Sequence, residues 1–98
     1  MTDPADSTFK HLPGGEYLAQ GIADLTSGRE SIPSLLIAIA ARRLGSAGLS
    51  LPVTLPPDPE LRLFRMLRSL YGDDSYSQYN AHLRRLASLC HAMEMMNP

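Results

Sequence analysis

Two short stretches of the sequence carry the residue types that catalysis and metal binding use. Cys90 and His91 are adjacent, like a thiol nucleophile and a base, and Asp73 and Asp74 stand side by side in the sequence YGDD. Neighbouring positions on a helix point about 100° apart, however, so Cys90 and His91 face different sides. A cage for a divalent cation also needs several converging oxygens, and two adjacent carboxylates are ordinary helix-capping residues. We therefore predict no catalytic residue, no metal site and no cofactor.

Common catalytic and nucleotide-binding motifs are missing from the chain. The sequence holds no HExxH, CxxC, GxSxG or GxxxxGK[ST] motif. His82 and His91 are nine residues apart, which places them on opposite faces of one helix and keeps them from sharing a metal ion. We expect that the protein is not an enzyme, and we keep an enzyme completed by residues of another subunit as the third of three function classes.

Arginines are the polar residues that recur in a pattern. In the sequence PELRLFRMLRSL, Arg62, Arg65 and Arg68 stand at every third position between apolar residues, and Arg84 and Arg85 follow in the next predicted helix. Such a set can contact phosphates or an acidic protein surface, or it can be the solvated face of amphipathic helices. We treat these five arginines as the candidate contacts with a partner.

The overall charge gives little help in choosing that partner. The 98 residues include 9 Lys and Arg against 10 Asp and Glu, and the net charge is -1. No global field therefore attracts nucleic acid or an anionic membrane. Residues 1–30 hold five acids against two bases, and residues 31–98 hold seven arginines against five acids. This mild polarity can orient a partner, with nucleic acid the less favoured class and no membrane expected.

The single cysteine and the hydropathy bear on location. One Cys90 excludes an intramolecular disulfide and suits a reducing compartment, so we expect a cytoplasmic protein. The first residues show no basic stretch followed by an apolar one, as a secretory signal would. The longest apolar run, residues 35–41, is far shorter than the roughly 20 residues that a membrane-spanning helix needs.

Composition and periodicity divide the first part of the chain. Residues 1–15 mix Pro, Gly, Ser and Asp and predict a flexible tail, while residues 16–98 predict a single helical domain. Apolar residues at helical spacing indicate helix 1 over residues 16–27. Gly21 in its middle costs about 1 kcal/mol relative to Ala, which a close helix crossing could offset.

Helix 2 and the segment after it differ in hydrophobic period. Ser31 as N-cap and Pro33 in the first turn start helix 2, which runs to Leu44 and is apolar nearly all round, so we place it at the centre of the domain. In residues 49–55 apolar residues alternate with polar residues and proline, which predicts an extended strap or, less favoured, a short edge strand.

Helices 3 and 4 are expected to form a hairpin. Asp58 as cap and Pro59 at the first position start helix 3, Gly72 ends it, and Asp58 can pair with Arg62. Its expected core face consists of Leu63, Phe64, Leu67, Leu70 and Tyr71. Helix 4 covers residues 75–95 and carries a heptad-like apolar seam, formed by Tyr76, Tyr79, Leu83, Leu86, Cys90 and Met93.

These patterns predict an all-α fold, a small four-helix bundle-like domain with an extended, proline-containing strap between helices 2 and 3. The predicted function is a non-enzymatic helical interaction module that binds a protein partner or self-associates, as a homodimer through the helix 4 seam in the simplest version. The alternative is a small nucleic-acid-binding protein that uses the arginine face of helices 3 and 4.

Overall fold

The computed structural model describes residues 12–49, 51 and 54–96, and within them every regular element is helical and no strand is present. The elements are α1 (Glu16–Thr26), α2 (Ile32–Ser46), α3 (Pro59–Tyr71), a 3-10 turn (Gly72–Asp74) and α4 (Ser75–Met96). The predicted all-α class is confirmed. Both ends of every helix lie within two residues of their predicted positions, because capping residues and glycines mark these ends in the sequence.

The prediction of a four-helix bundle is wrong. α3 and α4 follow one another directly through the 3-10 turn, which leaves three helical units. α2 packs against each of the other helices, whereas the backbone of α1 approaches α2 alone among the described helices. The side of a bundle that α1 and α4 would close is bridged at the start of α1. There the Tyr17 side chain reaches His82, and the backbone at Gly14 lies so close to α4 that a Cβ atom at this position would be 2.9 Å from the Arg85 carbonyl oxygen.

α2 is the central element, as its nearly continuous apolar surface predicts. Ser31 caps it, since its hydroxyl accepts from the Ser34 amide at 3.2 Å while the Ser34 hydroxyl accepts from the Ser31 amide at 2.8 Å. Beyond its end Gly48 has φ 101°, and the Leu49 amide donates to the Leu44 carbonyl at 2.9 Å. Four of its apolar side chains are fully buried: Leu35, Leu36, Ile37 and Leu44.

The crossing of α1 and α2 depends on Gly21. A Cβ atom at this position would lie 2.4 Å from Cγ1 of Ile37 and 2.7 Å from the carbonyl oxygen of Pro33. The backbones approach so closely that no other residue type fits without a shift, as the expectation of a close crossing required.

The turn end of the α3–α4 hairpin protrudes from the core. Leu63 and Leu67 are fully buried, but Leu70 is 61% exposed, and Tyr71 and Tyr76 are exposed as well, so their expected core positions are wrong. The 3-10 turn approaches only α3 and α4 among the described elements.

The expected strap is described only in part. Leu49 and Leu51 are half-buried and pack against the core, but residues 50, 52 and 53 of the strap lie outside the described residues. The expected N-terminal tail lies outside them up to residue 11, and Leu12 packs against the core. None of the described helices combines the length and the apolar character that a bilayer crossing requires.

Candidate functional site

The two sequence features that suggested chemistry do not form a reactive centre. Cys90 is 2% exposed, as its expected core position requires, and burial raises the pKa of its thiol, whereas His91 is exposed. In the described part of the chain no three His, Cys, Asp or Glu side chains come together as a metal site would require. Asp73 and Asp74 lie in the exposed 3-10 turn.

A half-buried cluster ties the start of α1 to α4. The Tyr17 hydroxyl and Nδ1 of His82 form a hydrogen bond of 2.8 Å, and the Arg85 guanidinium lies 5.5 Å from the centre of the Tyr17 ring. Arg85 also pairs with Glu16. Burial, followed by the positive charge of Arg85, lowers the pKa of His82, so the neutral imidazole is favoured. This cluster is a structural contact between two helices.

A buried carboxylate that the sequence reasoning missed lies at the α1–α2 junction. Asp24 is 5% exposed, and it accepts from the Ser31 hydroxyl at 2.6 Å and from Nε2 of Gln20 at 3.0 Å. The signal was present in the sequence, because Tyr17, Gly21 and Asp24 follow one another at helical spacing on the core side of α1. These hydrogen bonds stabilise the junction between α1 and α2, and the buried carboxylate is not accessible to a ligand at the surface.

Arg62 pairs across the chain instead of with its neighbour on the same helix. Its Nη1 donates to Glu30 at 2.8 Å, and its Nε donates to the Pro57 carbonyl at 2.8 Å. The expected Asp58–Arg62 pair and the expected side-chain cap by Asp58 are therefore wrong. Asp58 has φ 48°, in the left-handed region, and its side chain makes no capping hydrogen bond.

The five candidate arginines do not gather into one patch. Arg62 is held by Glu30 and Arg85 by Glu16, and these two acids lie beyond the end and at the start of α1, a helix about 16 Å long. The remaining three candidates are exposed and have no ion-pair partner among the described residues: Arg65, Arg68 and Arg84.

Two adjacent hollows run beside α3, and we call them together the α3 groove. The first, of about 440 Å³, lies between the α1–α2 loop and the segment before α3, and the second, of about 500 Å³, follows α3. Both are lined by Glu30 and Arg62, whose ion pair stands where they meet. Further lining residues are Arg29, Leu55, Asp58, Leu61, Arg65, Met66 and Leu70.

Large apolar side chains in the α3 groove are open to solvent. Leu55 is 40% exposed, Leu61 48% and Leu70 61%, while Met66 is half-buried. The groove therefore combines exposed aliphatic side chains with arginines, a composition typical of protein interfaces. Sequence reasoning identified Arg62 and Arg65 but missed the apolar part, because the helical wheel assigned Leu70 to the core and left Leu61 unassigned.

Comparison of the chain with protein-family models, with curated proteins and with solved structures gives no match. The structural class that remains is an all-α domain with a central helix and an open groove along α3. The geometry of this groove is therefore the basis on which a function can be inferred.

Proposed function

We propose that this protein is a non-enzymatic interaction module that binds a protein partner in the α3 groove. The observation that carries the proposal is the exposure of Leu61 and Leu70 beside Arg62 and Arg65 in one open concavity. Single exposed apolar residues are normal on a protein surface, but here they line the same hollow with arginines. The proposal includes a cytoplasmic location, because it suits the single, buried Cys90 thiol.

Self-association through the α4 seam has less support than docking at α3. Leu86, Cys90 and Met93 of the seam are buried within the chain, so they offer no surface to a second copy. Tyr76 at the start of the seam is 67% exposed, but the two residues that follow it in the seam, Tyr79 and Leu83, are half-buried against the core. We therefore favour a different protein as the partner.

Nucleic acid is the second class, and the arrangement of charges favours it less. Phosphate binding gains from several arginines on one face, whereas Arg62 and Arg85 are each paired with a carboxylate, one beyond the end of α1 and one at its start. A protein segment bound in the groove would contact the exposed leucines, whereas phosphates would not use them.

A peptide-display selection tests the proposal although the partner is unidentified. The purified 98-residue protein is used to select from a random peptide library, and the enriched peptides are synthesised and titrated by fluorescence anisotropy. We expect the double variant Leu61→Ser/Leu70→Ser to weaken binding at least about tenfold, because it removes two apolar contacts. The matched control is Tyr76→Ser/Met95→Ser, which changes two exposed apolar residues outside the groove.

Equal loss in both double variants, or loss in the control alone, would show that the peptides bind elsewhere and would overturn the proposal. Failure of the selection to enrich any peptide would overturn it as well. Circular dichroism must show that both double variants keep the helical content of the wild type. Sedimentation equilibrium of the wild type is expected to give a monomer, and a dimer dissociated by Leu61→Ser/Leu70→Ser would assign the groove to a second copy.

A further inference from the structure

We infer that the partner segment bound in the α3 groove is acidic as well as apolar, and that its carboxylates bind Arg65 and replace Glu30 at Arg62. This inference rests on the proposed function, since it names the chemical class of the ligand for the same groove. Three observations carry it: the balance of charges in the groove, the order of residue types along α3, and the way in which Arg62 is held.

The groove has more unpaired positive than unpaired negative charge. Arg29, Arg62 and Arg65 line it together with Glu30 and Asp58. The Arg62–Glu30 ion pair neutralises one charge of each sign. Within residues 12–49, 51 and 54–96, Arg29, Arg65 and Asp58 have no ion-pair partner, which leaves two cations against one anion. A ligand that carries carboxylates is therefore favoured over a basic or neutral one.

Arg65 lies between apolar side chains on the groove side of α3. Leu61, Arg65 and Ser69 are one helical turn apart, and Arg68 and Leu70 continue the exposed surface toward the turn. A partner that fits this order presents a carboxylate between apolar side chains. The planar guanidinium of Arg65 can bind such a carboxylate through two hydrogen bonds, which a point charge cannot do.

Arg62 is held so that its carboxylate partner can be exchanged. Its side chain is 43% exposed and that of Glu30 is 45% exposed, so the ion pair between them is a weak surface interaction. The second hydrogen bond, from Nε to the Pro57 carbonyl, does not involve Glu30 and keeps the guanidinium oriented when Glu30 leaves. A carboxylate of the partner can then accept from Nη1 in the place of Glu30.

The test compares the charge of the selected peptides and its dependence on single groove residues. Peptides enriched by the wild type are expected to contain more Asp and Glu than the starting library, and Arg65→Glu is expected to reverse this preference toward Lys and Arg. Glu30→Gln, which frees Arg62, is expected to tighten binding of an acidic peptide by about two- to fivefold. Arg84→Glu on α4 is the matched control and should leave the affinity unchanged.

The outcomes separate this inference from the proposed function. Peptides that depend on Leu61 and Leu70 but show no excess of acids, or an affinity that Glu30→Gln lowers, would overturn the inference and leave the groove as an interaction site. Peptides insensitive to both leucines would overturn the two together. A single-stranded DNA of about 20 nucleotides that binds more tightly than the best peptide, and does so equally in Leu61→Ser/Leu70→Ser, would assign the arginines to phosphate contacts.

Discussion

The α1–α2 crossing and the α3 groove treat their polar residues in opposite ways. At the crossing, the carboxylate of Asp24 is buried and accepts hydrogen bonds from Ser31 and Gln20. In the groove, Asp58 and Arg65 are exposed and have no ion-pair partner in the described chain. Both regions contain an aspartate, so the presence of a carboxylate alone does not distinguish them.

The difference separates groups that stabilise the fold from groups that remain available to a ligand. No buried side-chain nitrogen or oxygen among the described residues lacks a hydrogen-bond partner, so the interior offers no unsatisfied group as a sign of a binding site. A charged group in the groove is hydrated and can exchange water for a ligand, whereas Asp24 would have to lose its hydrogen bonds first.

The largest effect is expected from Gly21→Ala at the crossing. The added methyl would meet Ile37 and the Pro33 carbonyl, so we expect unfolding in urea, followed by circular dichroism, to show a loss of about 1–3 kcal/mol. Gly45→Ala in the last turn of α2 is the control, because its added methyl would meet no atom within 4 Å. It should stabilise by up to about 1 kcal/mol, and similar losses in both variants would show that the crossing is not tightly packed.

Asp24→Asn and Asp58→Asn test the comparison directly with the same chemical change in both regions. In Asp24→Asn the amide group offers one acceptor where the carboxylate offers two, and we expect a loss of about 1–2 kcal/mol in the free energy of unfolding. Asp58→Asn should change it by less than about 0.5 kcal/mol, because Asn tolerates the left-handed backbone. Equal effects of the two substitutions would contradict the distinction between groups that stabilise the fold and groups that remain available to a ligand.

A smaller effect is expected from the pH dependence at His82. Because the pKa of His82 is lowered in the folded state, the unfolded chain binds more protons below its ordinary pKa of about 6.5. Stability is therefore fully present above that pH and falls as the pH decreases toward the folded pKa. The charged or titratable groups that face the imidazole are Tyr17 and Arg85, with Glu16 beside them.

The measurement is the free energy of unfolding at about pH 7 and about pH 5, on either side of the ordinary histidine pKa, in the wild type, in His82→Gln and in His91→Gln. His82→Gln is expected to lose less stability over this interval than the wild type, since it has no imidazole to protonate at this position. Replacing the exposed His91 should leave the difference in stability between the two pH values as it is in the wild type. A wild-type loss equal to that of His82→Gln would show that protonation of His82 does not weaken its contact with α1.

The smallest effect on stability is expected from Arg65→Glu in the groove and Arg84→Glu on α4. Both arginines are exposed without an ion-pair partner among the described residues, so each change should alter the free energy of unfolding by less than about 0.5 kcal/mol. The two variants are expected to differ in binding alone. A clear loss of stability in Arg65→Glu would instead make this arginine part of the structure.

The helices could be predicted from the sequence because their signals are local. Ser31, Pro33, Pro59 and Gly72 act on the backbone within a few residues, and the capping interactions at Ser31 and the positive φ of Gly72 are those that their residue types favour. The helical period also placed Leu63, Leu67 and Cys90 in the core. It did not identify Leu89, which is fully buried although it lies outside the predicted seam.

The groove could not be predicted in the same way. A helical wheel shows that Leu70 and Tyr71 point to the same side as the core residues of α3. It does not show whether another helix reaches far enough to cover them, and in the folded chain none of the described helices does. Likewise, the short-range rule for charges paired Arg62 with Asp58, while the folded chain brings Glu30, which is 32 residues away, within 2.8 Å of it.

The sequence by itself determined the all-α class, the helix ends, the central place of α2 and the burial of Cys90, because all of these follow from local capping and from the period of apolar residues. Only the tertiary structure decided that the backbone of α1 approaches that of α2 alone among the described helices, that Asp24 is buried, and which arginines are neutralised. The physical reason is that ion pairing and side-chain exposure depend on which segments, distant in the sequence, meet in the fold, and no local sequence pattern encodes these contacts.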